Sequence, residues 1–505
     1  MGGLALALAA CSEEHKCDSG DASQPSCSSP SSAGSAATGG SSSGGSNAGG
    51  GSDPLGTAAA PTWHAEVAPI VALHCQGCHQ EGGIAPFSLQ SYEQAKMWSK
   101  ALPGVVAVGQ MPPFLAAETD DCKPRFAFKD DLRLSADKLA VLEAWAAAGA
   151  PEGDPLTAAP LPTPPALELD DADVTVTIPS PITVEGGSDQ FICFSLAPDL
   201  APLAPTGPEA AVLGGNVLVD AVQVHPGNAA IVHHVLVYTD AEGESAALAG
   251  DQGYYDCFGG PGLSAPSLVM AWAPGSTPIQ APEGVALAIP STGRLVMQVH
   301  YHPVGAPQTD SATSLQLRKY DAGIPDYIAS MTLMGNSRGT SASGMGLQPG
   351  PNDGAEAEFK IPAGAQNHTE TMRLTVPADG PPNYIWAVGT HMHYVGTDMR
   401  IGITRANPGS EPADECLLQT PNWDFNWQRG YLYDVPIAQA PTARGGDTIN
   451  LRCTYDNSMQ NPFVAQALQQ QGLAEPRDVL LGEATLDEMC LGVFGIAQKV
   501  SDLLQ

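Results

Sequence analysis

A Cys-x-x-Cys-His sequence stands near the beginning of the chain and is formed by Cys75, Cys78 and His79. Two thiols at this spacing can bond to the vinyl groups of a haem, and the adjacent imidazole can serve as the proximal iron ligand. A lone Cys-x-x-Cys can also be a redox pair or half of a zinc site, but the following His and the helical context favour haem. The sequence therefore predicts one c-type haem at this position.

A haem bound in this way needs a sixth ligand, and the sequence GQMPPF offers the thioether of Met111. Two prolines follow Met111 and stiffen the loop, while Met97 is the alternative ligand. Ligation by His and Met raises the haem potential and suits electron transfer. With these residues, the portion from 61 to 154 resembles a class I cytochrome c domain.

Seven of the twelve histidines fall in three short stretches of strand-like sequence. The three groups are His225 with His233 and His234, His300 with His302, and His391 with His393. A single His on a strand is more often a core or surface residue than a ligand, but three clusters are harder to attribute to chance. In His-x-His, the period of two puts both imidazoles on one face of the sheet. Adjacent histidines would point to opposite faces, so His233 and His234 need a bulge or a strong twist to bind one ion.

Imidazole suits zinc, copper, iron and nickel, whereas a thioether partner selects copper, especially Cu(I). No carboxylate stands out beside the clusters, which weakens an iron site with two histidines and one carboxylate. Downstream, the sequence ATLDEMCLGVF places Met489 next to Cys490.

Four motifs in this order identify a resemblance: His-His, Gln-x-His-Tyr, His-x-His and Glu-Met-Cys. From about Gln190 to Phe494 the chain resembles the copper type II, ascorbate-dependent monooxygenases. That family includes peptidylglycine α-hydroxylating monooxygenase and dopamine β-monooxygenase. The resemblance implies two non-coupled mononuclear coppers, one on each of two β-sandwich domains.

The resemblance also implies roles for individual residues. His233, His234 and His300 match the three-His copper site, which accepts and relays an electron. The site that binds O2 and hydroxylates a C–H bond would be formed by His391, His393 and Met489, and Gln298 matches a glutamine between the sites. The implied catalytic residues are thus Met489, His391, His393 and Gln298, and the implied disulfides are Cys193–Cys257 and Cys453–Cys490.

The chain departs from the peptidylglycine enzyme at two positions that hold the substrate carboxylate there. Gly389 replaces an Arg and Val493 replaces a Tyr, so a peptidylglycine substrate is not expected. His225 and His302 are additional, and we interpret them as neighbours of the ligands. The electrons would come from ascorbate or from a redox protein. We expect the fused haem to pass them to the three-His copper, because the linker Ala158 to Leu169 is short.

Composition sets the outer limits. Lys and Arg number 21 and Asp and Glu 54, a net charge of −33 that makes nucleic acid an improbable partner.

The pattern is helical over 61–154, where Ser135 can cap a helix that carries Leu142 and Trp145 on one face. A Pro-rich linker spans 155–169, and strands of period two follow, as in DVTVTI at 173–178. We therefore predict a mainly β protein with two tandem antiparallel β-sandwich (jelly-roll-like) copper domains, 170–325 and 326–505, preceded by a small all-α cytochrome c domain.

The first ten residues are small and apolar and end in Leu-Ala-Ala before Cys11, which resembles a bacterial lipobox. This predicts a lipoprotein signal peptide at 1–11, lipidation of Cys11 and a Ser/Gly-rich linker at 12–60. The protein would be an exported, periplasmic or outer-membrane lipoprotein of a Gram-negative bacterium. Eight further cysteines are an even number, which favours disulfides. The pairing of Cys17, Cys27, Cys122 and Cys416 stays open.

The sequence thus favours an enzyme, a copper monooxygenase that hydroxylates a C–H bond of a small molecule with O2 and two electrons. The alternative is a haem and copper protein without turnover, acting in electron transfer or as an accessory lipoprotein.

Overall fold

The structure is a computed structural model that describes residues 59–503, except 82, 84, 164–167, 188, 206–214, 275, 352, 355 and 485. Contacts group the chain into residues 1–60 and 61–505, and every element below belongs to the second group. The predicted signal peptide, the lipidated Cys11 and the linker up to residue 58 lie outside the described residues, as do Cys17 and Cys27. In the described part, none of the helices is long and apolar enough to span a membrane.

Short helices make up the first part of the chain. A π-helical turn at Trp63–Val67 precedes helices α1 (Ala68–His74), α2 (Tyr92–Trp98), α3 (Leu102–Ala107) and α4 (Ala136–Ala147). Ser135 caps α4 as predicted, with its hydroxyl accepting from the backbone N–H of Lys138. Trp145 is fully buried in a small apolar core and packs on Trp63, with ring centroids 6.2 Å apart.

Strands dominate from residue 174 onward. The first thirteen are β1 (Val174–Thr177), β2 (Ile182–Val184), β3 (Gln190–Leu196), β4 (Asn216–His225), β5 (Val232–Asp240), β6 (Tyr254–Asp256), β7 (Ser267–Trp272), β8 (Ile279–Gln280), β9 (Val285–Pro290), β10 (Arg294–Tyr301), β11 (Gln308–Asp310), β12 (Ser314–Lys319) and β13 (Tyr327–Gly335). Helix α5 (Ser245–Ala249) lies between β5 and β6.

The remaining strands are β14 (Gly346–Leu347), β15 (Lys360–Ile361), β16 (His368–Thr375), β17 (Asn383–His391), β18 (Gly396–Thr404), β19 (Asp414–Thr420), β20 (Gly430–Leu432), β21 (Thr442–Ala443), β22 (Thr448–Tyr455), β23 (Val479–Leu480) and β24 (Leu491–Lys499). Helix α6 (Pro462–Gln471) follows β22, and α7 (Val500–Leu503) follows β24. Turns of 3-10 helix occur at Pro155–Thr157, Ala201–Leu203, Gly250–Gln252 and Ile437–Gln439. The protein is therefore mainly β, as predicted.

These strands form several sheets. The largest contains the path β1-β12-β4-β9-β13-β7-β5-β10-β3-β6 and is joined by β17, β20, β21 and β24. A five-stranded sheet has the order β14-β16-β22-β18-β19. Strand β13 lies just after the predicted domain boundary at 325/326. It pairs with β24 of the later segment and also with β7 and β9 of the earlier one, so hydrogen bonds of the sheet cross this boundary.

The buried apolar residues form two large cores. One is built mostly from residues 174–331 and also includes Trp386 and Ala497, while the other is built mostly from residues 347–494. The disulfides Cys193–Cys257 and Cys453–Cys490, implied by the resemblance, are both present. A third disulfide joins Cys122 to Cys416 and settles two cysteines that the sequence left unassigned.

Residues 114–133, between α3 and α4, lie against the second core. Phe114 packs edge-on to Tyr431 with centroids 5.1 Å apart, and Phe128 stacks on Tyr433 at 5.1 Å. The guanidinium of Arg125 pairs with carboxylates on the other side, and the backbone N–H of Lys129 donates to the carbonyl of Leu432 at 2.8 Å. The helical part is thus attached to the β part by much more than the linker at 155–169.

Candidate metal centres

The His233–His234 pair lies on β5 beside His300 on β10, and the pairing of these strands contains a bulge, one of the two distortions that would let adjacent histidines bind one ion. His300 is opposite His234, whereas the next residue, Tyr301, is opposite Val232. His233 is therefore the extra residue of the bulge, where the normal alternation of side chains is interrupted. This local irregularity allows two consecutive imidazoles to share a site with His300.

The three imidazoles converge through their Nδ1 atoms. His234 Nδ1 lies 3.1 Å from Nδ1 of His233 and 3.4 Å from Nδ1 of His300. Imidazole binds metals such as zinc at about 2.0–2.1 Å, which corresponds to ligand atoms roughly 3.3–3.6 Å apart around one ion. In the described part of the chain, these residues form the one group of three potential ligands from His, Cys, Asp or Glu. The trio fits a metal ion.

Burial keeps His233 and His234 neutral. The pKa values of His233 and His234 are well below the ordinary value, first because the rings are removed from water and second because His300 lies close by. A neutral imidazole retains the lone pair that a metal needs.

Asp189 lies beside the trio, next to the first residue of β3. Its carboxylate is 3.5 Å from Nε2 of His300 and accepts from Nδ1 of His302 at 2.7 Å. His302 thus shares a carboxylate with a potential ligand, which agrees with its interpretation as a neighbour. His225 lies at the end of β4 opposite Ser314 and is not part of the trio.

The His-x-His pair is positioned by β17, which ends at His391 opposite Leu491 of β24. Nδ1 of His391 donates to the side-chain oxygen of Gln428 at 2.6 Å, and Nδ1 of His393 donates to the backbone carbonyl of Asp487 at 3.1 Å. Because both acceptors are oxygens, each Nδ1 carries its proton and each Nε2 keeps a free lone pair. Burial lowers the pKa of His391 to about 4 and of His393 to about 3.

Met489 comes just before β24 and is 6 % exposed. The hydroxyl of Tyr455 donates to its carbonyl at 2.9 Å, and the next residue, Cys490, is disulfide-bonded to Cys453. The backbone N–H of Met489 donates at 2.8 Å to the carboxylate of Glu488. The backbone around Met489 is therefore held from three directions.

Glu488 is fully buried and connects the two parts of this site. Its carboxylate accepts from the backbone N–H groups of His393, Val395 and Met489. Burial raises its pKa to about 8, although these hydrogen bonds favour the charged form. The carboxylate thus ties the His-x-His segment to the segment that carries the thioether.

Residues of both sets line one cavity of about 270 Å³: His234 and His300 from the first, and His391, His393 and Met489 from the second. The rings of His234 and His391 are 5.9 Å apart between centroids, so the two sets are neighbours. Gln298, predicted to lie between the sites, lines the same cavity, and its amide donates to the carbonyl of Cys257 at 2.9 Å.

The Cys-x-x-Cys-His residues follow directly after α1. Cys75 and Cys78 are free, half-buried thiols, and burial raises the pKa of Cys75 to about 12. Nδ1 of His79 donates to the carbonyl of Phe87 at 3.0 Å, which leaves Nε2 as the available lone pair. Free thiols beside an imidazole with a free Nε2 fit a covalently bound haem.

The two candidates for the sixth ligand differ in exposure. Met111 is half-buried, whereas Met97 on α2 is 75 % exposed. Burial therefore favours Met111, because a thioether that is bound to iron is shielded from solvent.

Sequence analysis assigned no role to Asp189, Gln428 and Arg429, and it gave Glu488 only a place in the Glu-Met-Cys motif. Glu488 is next to Met489 in the sequence and Asp189 directly precedes β3, so their positions along the chain could have marked both as candidates. Gln428 is 37 positions from the imidazole that it contacts, and no spacing rule connects them. Arg429 lines the cavity, which only the folded structure reveals.

No protein-family model and no curated protein matches the chain. Among solved structures, the major capsid protein P2 of bacteriophage PM2 matches with 10% identity over 64% of this chain and 97% of that chain, at a TM-score of 0.21. Infectious bursal virus derived T=1 particles match with 9% identity over 66% and 72%, at 0.18. A fucolectin from striped bass (Morone saxatilis) serum matches with 9% identity over 63% and 86%, at 0.13. Matches at these TM-scores do not identify a relative.

Proposed function

We propose that the protein is a copper-dependent monooxygenase that hydroxylates a C–H bond of a small molecule with O2 and two electrons. One observation carries the proposal: two of the three converging imidazoles, His234 and His300, line the same cavity as the second set of two imidazoles with a thioether. The ring centroids of His234 and His391 are 5.9 Å apart. An electron that arrives at one set would have only a short distance to travel to the other.

The donor atoms suit this metal. Imidazoles bind copper well, and the thioether of Met489 favours Cu(I), the state that reacts with O2. Copper held by His233, His234 and His300 and by His391, His393 and Met489 would supply the redox chemistry of the overall reaction R–H + O2 + 2e⁻ + 2H⁺ → R–OH + H2O.

The protein's own groups would prepare the site. Gln428 and the carbonyl of Asp487 orient the His391 and His393 rings by accepting their Nδ1 protons. Glu488 holds the backbone on both sides of this set, and Asp189 lies against His300. The cavity offers a small molecule a place beside both sets. Gln298 lines this cavity and is anchored through its amide.

We further propose that residues 61–154 form an all-α cytochrome c domain and that residues 170–325 and 326–505 are two jelly-roll-like sandwiches. Cys75, Cys78, His79 and Met111 would hold one c-type haem, and the free Nε2 of His79 supports this assignment. The haem would pass electrons from ascorbate or a redox protein to the copper held by His233, His234 and His300. The Cys122–Cys416 disulfide would fasten the haem domain to the part of the protein that carries the His-x-His pair. Lipidation at Cys11 would anchor the exported protein to a membrane.

Low-temperature EPR with metal quantitation on the oxidised protein tests this proposal. We expect two type 2 copper signals for each low-spin haem, and oxygen consumption when reductant and substrate are added. Haem without copper, or zinc in both sets, would contradict the enzyme and leave the electron-transfer alternative.

A further inference from the structure

The cavity shared by the two candidate metal sets is apolar over much of its wall. The apolar side chains that line it include Leu236, Met331, Leu333, Trp386 and Leu432. Such a wall gains free energy by covering apolar surface, so it suits a ligand with a hydrocarbon or aromatic body.

Arg429 is the permanent cation among the residues that line this cavity. It comes just before β20, where the next residue, Gly430, is opposite Gly389 of β17. Its Nε atom is buried and has no hydrogen-bond partner among the described residues. A buried donor without a partner is costly, and such groups in folded proteins call for a specific explanation.

Other arginines of the described residues have carboxylate partners. Arg125, Arg405 and Arg444 each form an ion pair with Glu411 at 2.7–3.2 Å. For Arg429, no carboxylate of the described residues lies within ion-pair distance, although the whole chain carries 54 acidic residues against 21 basic ones. Its guanidinium carbon lies 5.1 Å from the ring centre of Phe114 and 5.7 Å from that of Tyr431, contacts that hold a cation but do not neutralise it.

We propose that the cavity binds a small organic anion with an apolar body, and that its carboxylate or equivalent group pairs with Arg429. A planar guanidinium can donate two parallel hydrogen bonds to a carboxylate, which would satisfy the unpaired donor and fix the orientation of the ligand. That this ligand is the molecule hydroxylated beside His391 and Met489 rests on the proposed function; the binding itself does not.

Glu483 is the other charged residue of the wall. Arg338 and Asp487 are the charged groups that act on it most, and burial raises the pKa of its carboxyl. The side chain of Glu483 is a neighbour of Gly259, since its Cγ atom would be 3.8 Å from a Cβ placed on that glycine. Arg429 instead lies near Phe114 and Tyr431. The two opposite charges thus have different neighbours, and they are not paired with each other.

A carboxylate could also come from the haem itself. Arg429 is close enough to Cys78 for its charge to lower the pKa of that thiol, against the larger rise caused by burial. A haem attached at Cys78 would lie near the same guanidinium. The test must therefore distinguish a haem carboxylate from a ligand of the cavity.

Isothermal titration calorimetry on the full chain, treated with a chelator to remove copper, would measure the affinity for octanoate and for octanamide. The two probes share a chain and differ in charge, and without copper neither can bind through a metal. We expect octanoate to bind more tightly, and Arg429→Gln to weaken octanoate by about tenfold or more, the scale of a charge-assisted hydrogen bond, with octanamide changed less than twofold. Arg133→Gln is the matched control, since the Arg133 guanidinium lies 4.8 Å from the same Phe114 ring but does not line the cavity.

Three results would overturn the proposal. In the first, octanoate binds no better than octanamide, and in the second, Arg429→Gln weakens both probes equally. In the third, octanoate binds only after Cys75→Ala and Cys78→Ala have removed the haem. That result would show that Arg429 pairs with a haem carboxylate. If Arg429→Gln does not fold, Arg429→Lys keeps the charge but loses the paired donors and should weaken octanoate alone, by a smaller factor. Because copper is absent throughout, failure here and failure to find copper by EPR are separate results.

Discussion

Cys122 and Cys416 form a disulfide between residues that are 294 positions apart in the sequence. Cys122 belongs to the segment between α3 and α4, and Cys416 lies on β19. The bond fastens the part that carries the Cys-x-x-Cys-His sequence to the part that carries the His-x-His pair. A flexible linker alone would allow the distance between these two parts to vary.

Replacing both cysteines with Ser should therefore loosen this attachment. We expect the free energy of unfolding to fall by about 2–5 kcal/mol, and proteolysis to cut first within residues 114–133. Thermal denaturation and limited proteolysis with mass spectrometry would measure the two effects. Equal resistance of the variant and the wild type would mean that the aromatic and ionic contacts hold the segment without the bond.

His391 should be required for one copper and not for the other. We expect His391→Ala to reduce the copper content from two ions to one and to remove one EPR signal, because its Nε2 is the available ligand atom. His225→Ala is the control, since His225 lies opposite Ser314 and outside the trio, and this variant should keep both ions. Loss of both ions from His391→Ala alone would indicate a single shared centre.

Asp189 should tune the three-His site through His300. The change Asp189→Asn keeps the size of the side chain but removes the charge near Nε2 of His300, and we expect copper affinity at that site to fall about 10–100-fold. Competition with a chromogenic chelator would measure it. Asp220→Asn, at a carboxylate paired with Arg318 on another pair of strands, should have no effect. An unchanged affinity in Asp189→Asn would limit Asp189 to holding His302.

Substitutions of Met111 and Met97 should have different effects on the spin state and the reduction potential of the haem. Met111→Ala should convert a low-spin haem to a high-spin one and lower its reduction potential, because the thioether ligand is lost. Met97→Ala should leave both unchanged, since that side chain is 75 % exposed. Optical and EPR spectra with a redox titration would decide, and a spectral change in Met97→Ala would reverse the assignment.

Glu411 should make the protein sensitive to acid. Burial alone would raise the pKa of this carboxyl, but hydrogen bonds from Thr442 and Arg444 and the charge of Arg405 outweigh it and lower the pKa to about 2. Since the pKa in the folded state is below the ordinary 4.5, the stabilisation is present above pH 4.5 and is lost as the pH falls towards 2.

We therefore expect Glu411→Gln to be less stable than the wild type at pH 7, with a difference that shrinks between pH 4.5 and 2. Denaturant unfolding at several pH values would measure this difference. Glu143→Gln, at an exposed position on α4, is the control and should show a constant difference. A gap between Glu411→Gln and the wild type that does not change with pH would show that packing, not charge, is what the substitution removes.

Local features of the site were predictable from sequence. The period of two beyond residue 170 predicted strands, because alternate side chains on a strand face opposite sides. The need for a bulge or a strong twist at His233 and His234 followed from the same rule, and the register between β5 and β10 contains a bulge. The two disulfides implied by the resemblance are also present. The two-sandwich division, the haem and the copper stay predictions.

What the sequence determined by itself was therefore the local chemistry: the residue types, their alternation along strands and the turns between them. The tertiary structure decided which distant groups meet. It brought Gln428 to His391, Cys122 to Cys416 and the ring centroid of His234 to 5.9 Å from that of His391. Among the described residues, it left Arg429 of the cavity without a carboxylate partner. The physical reason is that these contacts depend on strand register and burial across the whole sheet, and spacing along the chain carries no information about either.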